Sequence, residues 1–117
     1  MRKYRAAIFL LFLTCLAPNL FLQAKDKGDI GRLLTGKVLN RADQPASDAV
    51  VYLTDTHTKS IKTYIIGPDG LFHFPGLSLN VDYEVYALYK GHKSDTKTVS
   101  QFDNRQQVNI NLRVDAN

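Results

Sequence analysis

The sequence predicts an all-β fold, a β-sandwich of seven short strands. Apolar residues recur with period 2 in short runs, no window after residue 31 has the i, i+3, i+4, i+7 spacing of an amphipathic helix, and turn-forming residues separate the runs. Many short strands with frequent turns are typical of two sheets that share one core. We expect strands at about 33–39, 49–54, 60–66, 71–74, 83–89, 93–100 and 107–114.

The breaks between the predicted strands carry specific turn chemistry. The segment Gly67-Pro68-Asp69-Gly70 predicts a tight hairpin, because the fixed φ of proline starts such a turn. Pro75 has no N–H to donate to a ladder, so we expect the fourth strand to stop there. Gly91 separates the fifth strand from the sixth.

Alternation assigns the side chains of each strand to two faces, because residues two apart share a side. Phe72 and Phe74 share one face and are expected in the core, with His73 between them facing solvent. The expected core sets of the fifth and last strands are Tyr83, Val85, Ala87, Tyr89 and Val108, Ile110, Leu112, Val114.

Four residues that alternation places outward are apolar or aromatic: Val50, Tyr52, Tyr86 and Leu88. If they lie on one sheet they form an exposed patch, and such patches commonly mark partner surfaces. We therefore take them as the candidate binding residues of an interaction module. The alternative is that loops or neighbouring strands cover them.

Carbohydrate binding is a second hypothesis, because sandwiches of this kind can stack sugar rings on aromatic side chains. The candidate platform residues are Tyr52, Tyr64, Tyr86 and Tyr89. The sequence contains no tryptophan, the largest platform residue, and this weakens the hypothesis.

The first 24 residues have the organisation of a signal peptide. Three cations lie within residues 1–5, an apolar run follows over residues 6–17, and Pro18 interrupts it. A membrane-spanning helix needs about 20 apolar residues, so the run is too short for a span. We expect cleavage after Ala24, a flexible lead-in at 25–31, and a single domain at 32–115; an uncleaved N-terminal anchor is the alternative.

Charge and cysteine content exclude some classes of function. Of the 15 basic residues three lie in the predicted signal, which leaves 12 against 11 acidic ones and a formal charge of +1 for the mature chain. The remaining lysines alternate with other polar residues, so nucleic-acid binding is not expected. The only cysteine, Cys15, lies in the signal, where it is an apolar signal residue or, alternatively, a lipid-attachment site. The mature domain is expected to have no disulfide.

Several segments of the chain together match a known family pattern: Gly36-Lys37-Val38, Gln44-Pro45, residues 49–53, 69–77 and 83–85, and residues 90–94. In these segments the chain resembles the carboxypeptidase regulatory-like domains, whose fold is similar to transthyretin (prealbumin) and to the B-repeats of bacterial surface adhesins. The resemblance implies a Greek-key β-sandwich. Gln44 and Asp48 stand where the family often has glycine, so those loops are expected to differ in shape.

The same resemblance raises one covalent possibility, since adhesin B-repeats join a lysine on the first strand to an asparagine on the last with the help of a buried acid. Lys37 and either Asn109 or Asn111 are placed for such a bond. The residue two beyond Val85 is Ala87, however, so the acid is missing from its expected place. Ordinary solvent-facing polar residues are the favoured interpretation.

No motif for catalysis or metal binding is present. None of the three histidines has a glutamate at the His-x-x-Glu spacing of a zinc carboxypeptidase, and the nucleophile elbow, phosphate loop and calcium loop are absent. We therefore expect no enzyme activity, no cofactor and no metal. The predicted function is that of an exported, non-catalytic binding or structural module of the cell envelope, secreted or periplasmic. Its expected partner is an envelope or extracellular protein, or a polysaccharide, and no transmembrane span is expected in the mature chain.

Overall fold

The computed structural model describes residues 31–117, and this part of the chain contains strands and turns but no helix. The predicted all-β sandwich is confirmed. The described strands are β1 (Arg32–Leu39), β2 (Val50–Asp55), β3 (Ile61–Ile65), β4 (Leu71–Leu77), β5 (Tyr83–Tyr89), β6 (His92–Lys93), β7 (Lys97–Val99), β8 (Gln107–Asn109) and β9 (Leu112–Arg113).

The strands form a four-stranded and a five-stranded sheet. In the first, the order is β4–β1–β8, and β9 also pairs with β1. Both β8 and β9 run parallel to β1, whereas β4 is antiparallel to it. In the second, the order is β3–β2–β5–β6, β7 also pairs with β5, and every described pair is antiparallel.

The core lies between the two sheets and follows the predicted alternation. Phe72 and Phe74 are buried with their ring centroids 6.0 Å apart, and His73 between them is exposed. Ile110 and Tyr89 are only partly buried but pack against the core. The other predicted core residues of β5, β8 and the chain after β8 are buried: Tyr83, Val85, Ala87, Val108, Leu112 and Val114.

The predicted strand 93–100 is two strands in the structure, because the ladder against β5 shifts by one residue between β6 and β7. Ser94 lies at the shift and is buried. Its backbone N–H donates to the Ala87 carbonyl at 2.8 Å, and its Oγ accepts from the Ala87 N–H at 2.8 Å. The hydroxyl thus replaces a ladder carbonyl, as happens at a β-bulge.

The predicted last strand is likewise divided, so the expected seven strands are nine in the described chain. Between β8 and β9 the chain passes so close to β1 that a Cβ on Gly36 would lie 1.7 Å from the Ile110 carbonyl oxygen. The Ile110 N–H donates to the Thr35 carbonyl at 2.9 Å. The Asn111 side-chain Oδ1 accepts from the Lys37 N–H at 3.1 Å. The Asn111 side chain thus takes the place of a backbone group in the ladder with β1. Only glycine at position 36 lets the two backbones come this close.

The prediction that the fourth strand stops at Pro75 is wrong, because β4 continues to Leu77. The register against β1 shifts between Arg32 and Leu34, which leaves an extra residue on β4. Gly76 has a φ of +70° at this irregularity. Since β4 is an edge strand and the extra residue forms a bulge, a proline without an N–H is tolerated there.

Arg32 at the start of β1 is a charged residue inside the fold, with an exposed fraction of 1%. Its Nη1 donates to the carbonyl oxygens of Ser100 and Asp103, at 2.8 and 2.9 Å. Its Nη2 donates to the carbonyls of Ser78 and Val81, at 3.2 and 3.3 Å. The planar guanidinium thereby ties the loop before β5 and the loop after β7 to β1.

The predicted signal peptide at 1–24, and all of the predicted lead-in except Gly31, lie outside the described residues. Residues 31–117 offer no helix of the length and apolarity needed to cross a membrane.

Candidate functional site

The four candidate binding residues lie side by side on the outer face of the five-stranded sheet. Val50 on β2 pairs with Leu88 on β5, and Tyr52 pairs with Tyr86. Directly opposed residues of an antiparallel pair share a face and are in contact distance. The structure therefore brings together all four residues that alternation placed outward.

The two tyrosines form a stack across the neighbouring strands. The ring centroids of Tyr52 and Tyr86 are 5.1 Å apart with an angle of 18° between the planes. The Lys93 Nζ lies 4.4 Å from the Tyr86 ring centroid. Stacking and the cation together contribute about 1 kcal/mol to holding this arrangement.

Strand β3 extends the same face beyond the residues that the sequence singled out. Ile65 pairs with Val50 and Thr63 pairs with Tyr52, so their side chains lie on the outer side as well. Ile61 and Ile65 are 59% and 70% exposed. Sequence analysis missed these residues, although the period-2 spacing of Ile61, Thr63 and Ile65 was a signal for them.

We call this surface the tyrosine face. It combines apolar side chains, two stacked aromatic rings and one cation on a single pleated surface, and its isoleucines and leucine are open to solvent. No segment of residues 31–117 covers the side chains of Ile61, Ile65 and Leu88. Its members are Val50, Tyr52, Ile61, Thr63, Ile65, Tyr86, Leu88 and Lys93.

The turn between β2 and β3 sets the position of β3 on this face. The Asp55 Oδ1 accepts from the backbone N–H groups of His57 and Thr58, at 2.8 and 3.0 Å. The bond from the Thr58 N–H is the largest cause that lowers the pKa of the Asp55 carboxyl below its usual value. The ionised aspartate thus closes the turn from which Ile61 begins β3.

A model of the carboxypeptidase regulatory-like domain matches residues 34–115. The chain belongs to this family. The match runs from β1 to just beyond β9 and so takes in both sheets and the tyrosine face. The family is one of non-catalytic domains.

Two solved structures share the fold of this carboxypeptidase regulatory-like domain. One is the major pilin subunit of Bacillus cereus, with a TM-score of 0.57 and 13% identity over 73% of this chain. The match spans 30% of the pilin chain. The other is the dioxygenase domain of a dioxygenase and carbohydrate-binding protein fusion from Streptomyces sp. SirexAA-E, with a TM-score of 0.52 and 18% identity over 78% of this chain and 84% of that one. No curated protein matches the chain.

The regulatory-like domain keeps a glycine-like backbone at Asp48, one of the two positions where the sequence was expected to depart from the family's glycines. Asp48 has a φ of +74°, and Asp43 next to Gln44 has a φ of +63°. Aspartate tolerates this left-handed conformation better than most residues. Asp48 therefore adopts the backbone conformation that a glycine would have there, and its loop does not need the different shape that the sequence predicted.

The four tyrosines proposed as a sugar platform do not share a face of the domain. Tyr64 packs against the core and lies 6.0 Å from Phe74, ring centroid to centroid. Tyr89 also packs against the core. Only Tyr52 and Tyr86 point outward, and the Tyr86 ring is flanked by Tyr52 and Lys93. The contacts with Tyr52 and Lys93 therefore occupy the Tyr86 ring, which a sugar would need as a stacking platform.

The lysine and asparagines considered for a crosslink lie on the outer side of the other sheet. Lys37, Asn109 and Asn111 are exposed. Asn111 contacts Lys37 through the backbone N–H of the lysine, and Asn109 pairs with Thr35. This arrangement agrees with solvent-facing polar residues.

The histidines do not gather into a metal site in the described part of the domain. Within residues 31–117 no three His, Cys, Asp or Glu side chains are placed to hold a metal ion. His73 instead lies against Tyr64, with ring centroids 5.4 Å apart.

A polar cleft of about 380 Å³ is the second surface feature of the domain, and the sequence carried no signal for it. It opens between β7 and β8, the edges of the two sheets. Asp103 and Arg105 in its lining form a two-point ion pair, with Nε–Oδ1 at 2.9 Å and Nη2–Oδ2 at 2.6 Å. The side-chain bond from Arg105 lowers the pKa of Asp103 to about 2. Asp103 and Arg105 thus satisfy each other's charge, and Lys97 adds one more cation to the lining.

Proposed function

We propose that this chain is an exported, non-catalytic module of the cell envelope that binds a partner protein through the tyrosine face. The observation that carries the proposal is the alignment of Val50, Tyr52, Tyr86 and Leu88 on one outer sheet face, where Leu88 is exposed and the other three are half-buried. Aromatic residues are enriched in protein interfaces because they bury large rigid surfaces at low entropic cost. Export is inferred from the signal-like residues 1–24.

The geometry supports a protein partner better than a polysaccharide. A sugar ring stacks on the face of an aromatic ring, whereas Tyr86 turns its faces to Tyr52 and Lys93. Exposed Ile61 and Ile65 beside the pair add aliphatic surface that suits burial against another protein. The pilin neighbour shares only the fold, so its assembly role is no more than a precedent for such a scaffold.

Two leucines supply a matched pair of variants for testing the face. Leu88 lies on the tyrosine face and is 37% exposed, while Leu71 lies on the outer side of the four-stranded sheet and is 44% exposed. Leu88→Ser and Leu71→Ser therefore remove the same side chain at similar exposure from opposite sides of the molecule. Tyr86→Ser removes the stack itself.

The experiment is a cross-linking capture from envelope and medium fractions of cells that express the full chain with a C-terminal tag. We expect wild type and Leu71→Ser to capture the same protein, and Leu88→Ser and Tyr86→Ser to lose it while staying folded by circular dichroism. Equal capture by all four proteins would place the interface elsewhere. Capture of a polysaccharide in place of a protein would support the carbohydrate hypothesis. Capture of nothing would support a purely structural role.

Export has its own readout in the same cells. We expect the protein in the envelope or medium fraction to begin at Lys25, determined by N-terminal sequencing. A chain that keeps Met1 and stays with the cytoplasmic fraction would contradict export.

A further inference from the structure

Strand β3 is an edge strand of the five-stranded sheet whose outer edge is open. Its only described strand partner is β2, and four of its five residues are exposed. Natural edge strands are usually protected by proline, bulges or several charges. β3 contains one lysine, Lys62, and no proline or bulge.

The ladder with β2 shows which backbone groups of β3 face outward. The Ile66 N–H donates to the Ala49 carbonyl, and the Asp55 N–H donates to the Ser60 carbonyl. Hydrogen-bonded and non-hydrogen-bonded pairs alternate along an antiparallel ladder. Residues 60, 62, 64 and 66 therefore bond to β2, and Ile61, Thr63 and Ile65 direct their N–H and C=O groups to the open edge.

The sequence of β3 is self-complementary about Thr63. If a second copy pairs antiparallel with a two-fold axis at this residue, Ile61 lies opposite Ile65 of the second copy and Thr63 lies opposite itself. On the inner side Lys62 lies opposite Tyr64 of the second copy. All three outward-directed residues then form hydrogen-bonded pairs, each exchanging both N–H···O bonds.

Charge favours this register over one of the two registers that differ from it by a slip of two residues. A slip by two residues places Lys62 directly opposite itself, and like charges opposite each other destabilise a sheet. In the centred register the turn that carries exposed Lys59 approaches the turn that carries exposed Asp69 of the second copy, because these turns lie at opposite ends of β3. The ends of the strand are thus complementary in charge.

We propose that the chain forms a two-fold homodimer through antiparallel pairing of β3 with β3 of a second copy. The five-stranded sheets then join into one continuous sheet, and the two tyrosine faces become one surface with both Thr63 side chains at its centre. The inference does not rest on the partner proposed above, since it uses the edge of β3 and leaves the face available.

Thr63→Pro is the first test, because the Thr63 N–H faces the open edge and β2 does not need it. Proline is tolerated on an edge strand at such a position. Thr63→Ala is the matched control, since it shortens the side chain at the same position but keeps the N–H. In sedimentation velocity on protein purified from cells expressing the full chain, we expect wild type and Thr63→Ala at twice the mass of one chain and Thr63→Pro at the mass of one.

A charge exchange provides a second test that does not depend on proline. We expect a variant with Ile61→Glu and Ile65→Glu to be monomeric, and one with Ile61→Lys and Ile65→Lys likewise, because each opposes like charges across the axis. Mixing the two should restore a dimer of one copy of each. Circular dichroism checks that every variant is folded.

A wild-type protein that stays monomeric from micromolar to millimolar concentration would overturn the proposal, and so would a dimer that persists in Thr63→Pro or fails to re-form on mixing the charged variants. A monomer whose β3 pairs with an extended segment of another protein would also overturn it. Failure of partner capture with an intact dimer would count against the proposed function alone.

Discussion

The two sheets of the sandwich resemble each other on their inner faces and differ on their outer faces. Inside, both present buried aliphatic and aromatic residues to one core. Outside, the four-stranded sheet carries mostly polar side chains, among them Lys37, His73 and Asn109, whereas the five-stranded sheet carries the tyrosine face. Folding requires only the inner faces to be apolar, so the difference outside separates what the fold needs from what a partner would use.

The largest expected effect comes from breaking the inner contact that holds β1 to the chain after β8. Gly36→Ala places a methyl group where the Ile110 carbonyl oxygen lies 1.7 Å away, and that oxygen belongs to the backbone. We expect a loss of about 3 kcal/mol in the free energy of unfolding. Urea denaturation followed by circular dichroism measures it, and a loss below about 1 kcal/mol would show that the β8–β9 connection can move aside.

Removal of the buried guanidinium is expected to cost somewhat less. Arg32→Met fills similar volume but leaves the carbonyls of Ser78, Val81, Ser100 and Asp103 without their donor. We expect a loss of about 2 kcal/mol. Hydrogen exchange should show faster opening in the loops at 78–81 and 100–103 than elsewhere; uniform acceleration across the domain would contradict a local role for Arg32.

The outer faces should respond weakly and unequally to substitution. Tyr86→Ser removes the stack with Tyr52 and the contact with Lys93, so we expect a loss of about 1 kcal/mol. Asn109→Ser on the outer face of the other sheet is the control, with an expected change within about 0.5 kcal/mol. Thermal unfolding of both variants compares them, and a loss of about 3 kcal/mol for Tyr86→Ser would make that tyrosine part of the core instead of a binding residue.

The smallest effect is expected at the edge between the sheets, where Asp103 pairs with Arg105. The lowered pKa of about 2 means that the stabilising ionised form is complete above the usual value of 3.8 and is lost as the pH falls from 3.8 toward 2. We expect carbon-13 NMR to find the Asp103 carboxyl titrating near pH 2 and moving back toward 3.8 in Arg105→Gln. A midpoint near 3.8 in both proteins would show that the pair is not formed in solution.

The sequence predicted the sandwich class and most of the core because the alternation of apolar and polar residues within a strand shows which side chains face inward. Phe72, Phe74, Val85 and Val108 are buried as alternation indicated. Strand ends and breaks were harder to predict. The continuation of β4 past Pro75 depends on a bulge, and the break at Ser94 depends on a hydrogen bond to β5. Neither feature produces a regular spacing of residues that the local sequence would show.

Part of the candidate site was likewise visible in the sequence. Val50, Tyr52, Tyr86 and Leu88 followed from alternation alone, and their outward position was found as expected. Alternation also placed Tyr89 in the expected core set of β5, but it assigned no face to Tyr64, whose contact with Phe74 depends on how the two sheets pack together.

The sequence by itself determined which residues alternate, where most turns fall and that this chain builds a β-sandwich, since these depend on the two-residue repeat of a strand and on the backbone preferences of glycine and proline. Only the tertiary structure decided that β2 lies between β3 and β5, that Tyr52 stacks on Tyr86, and that Arg32 is enclosed by carbonyl groups. The physical reason is that strand neighbours and register are set by packing between segments tens of residues apart, which no local period encodes.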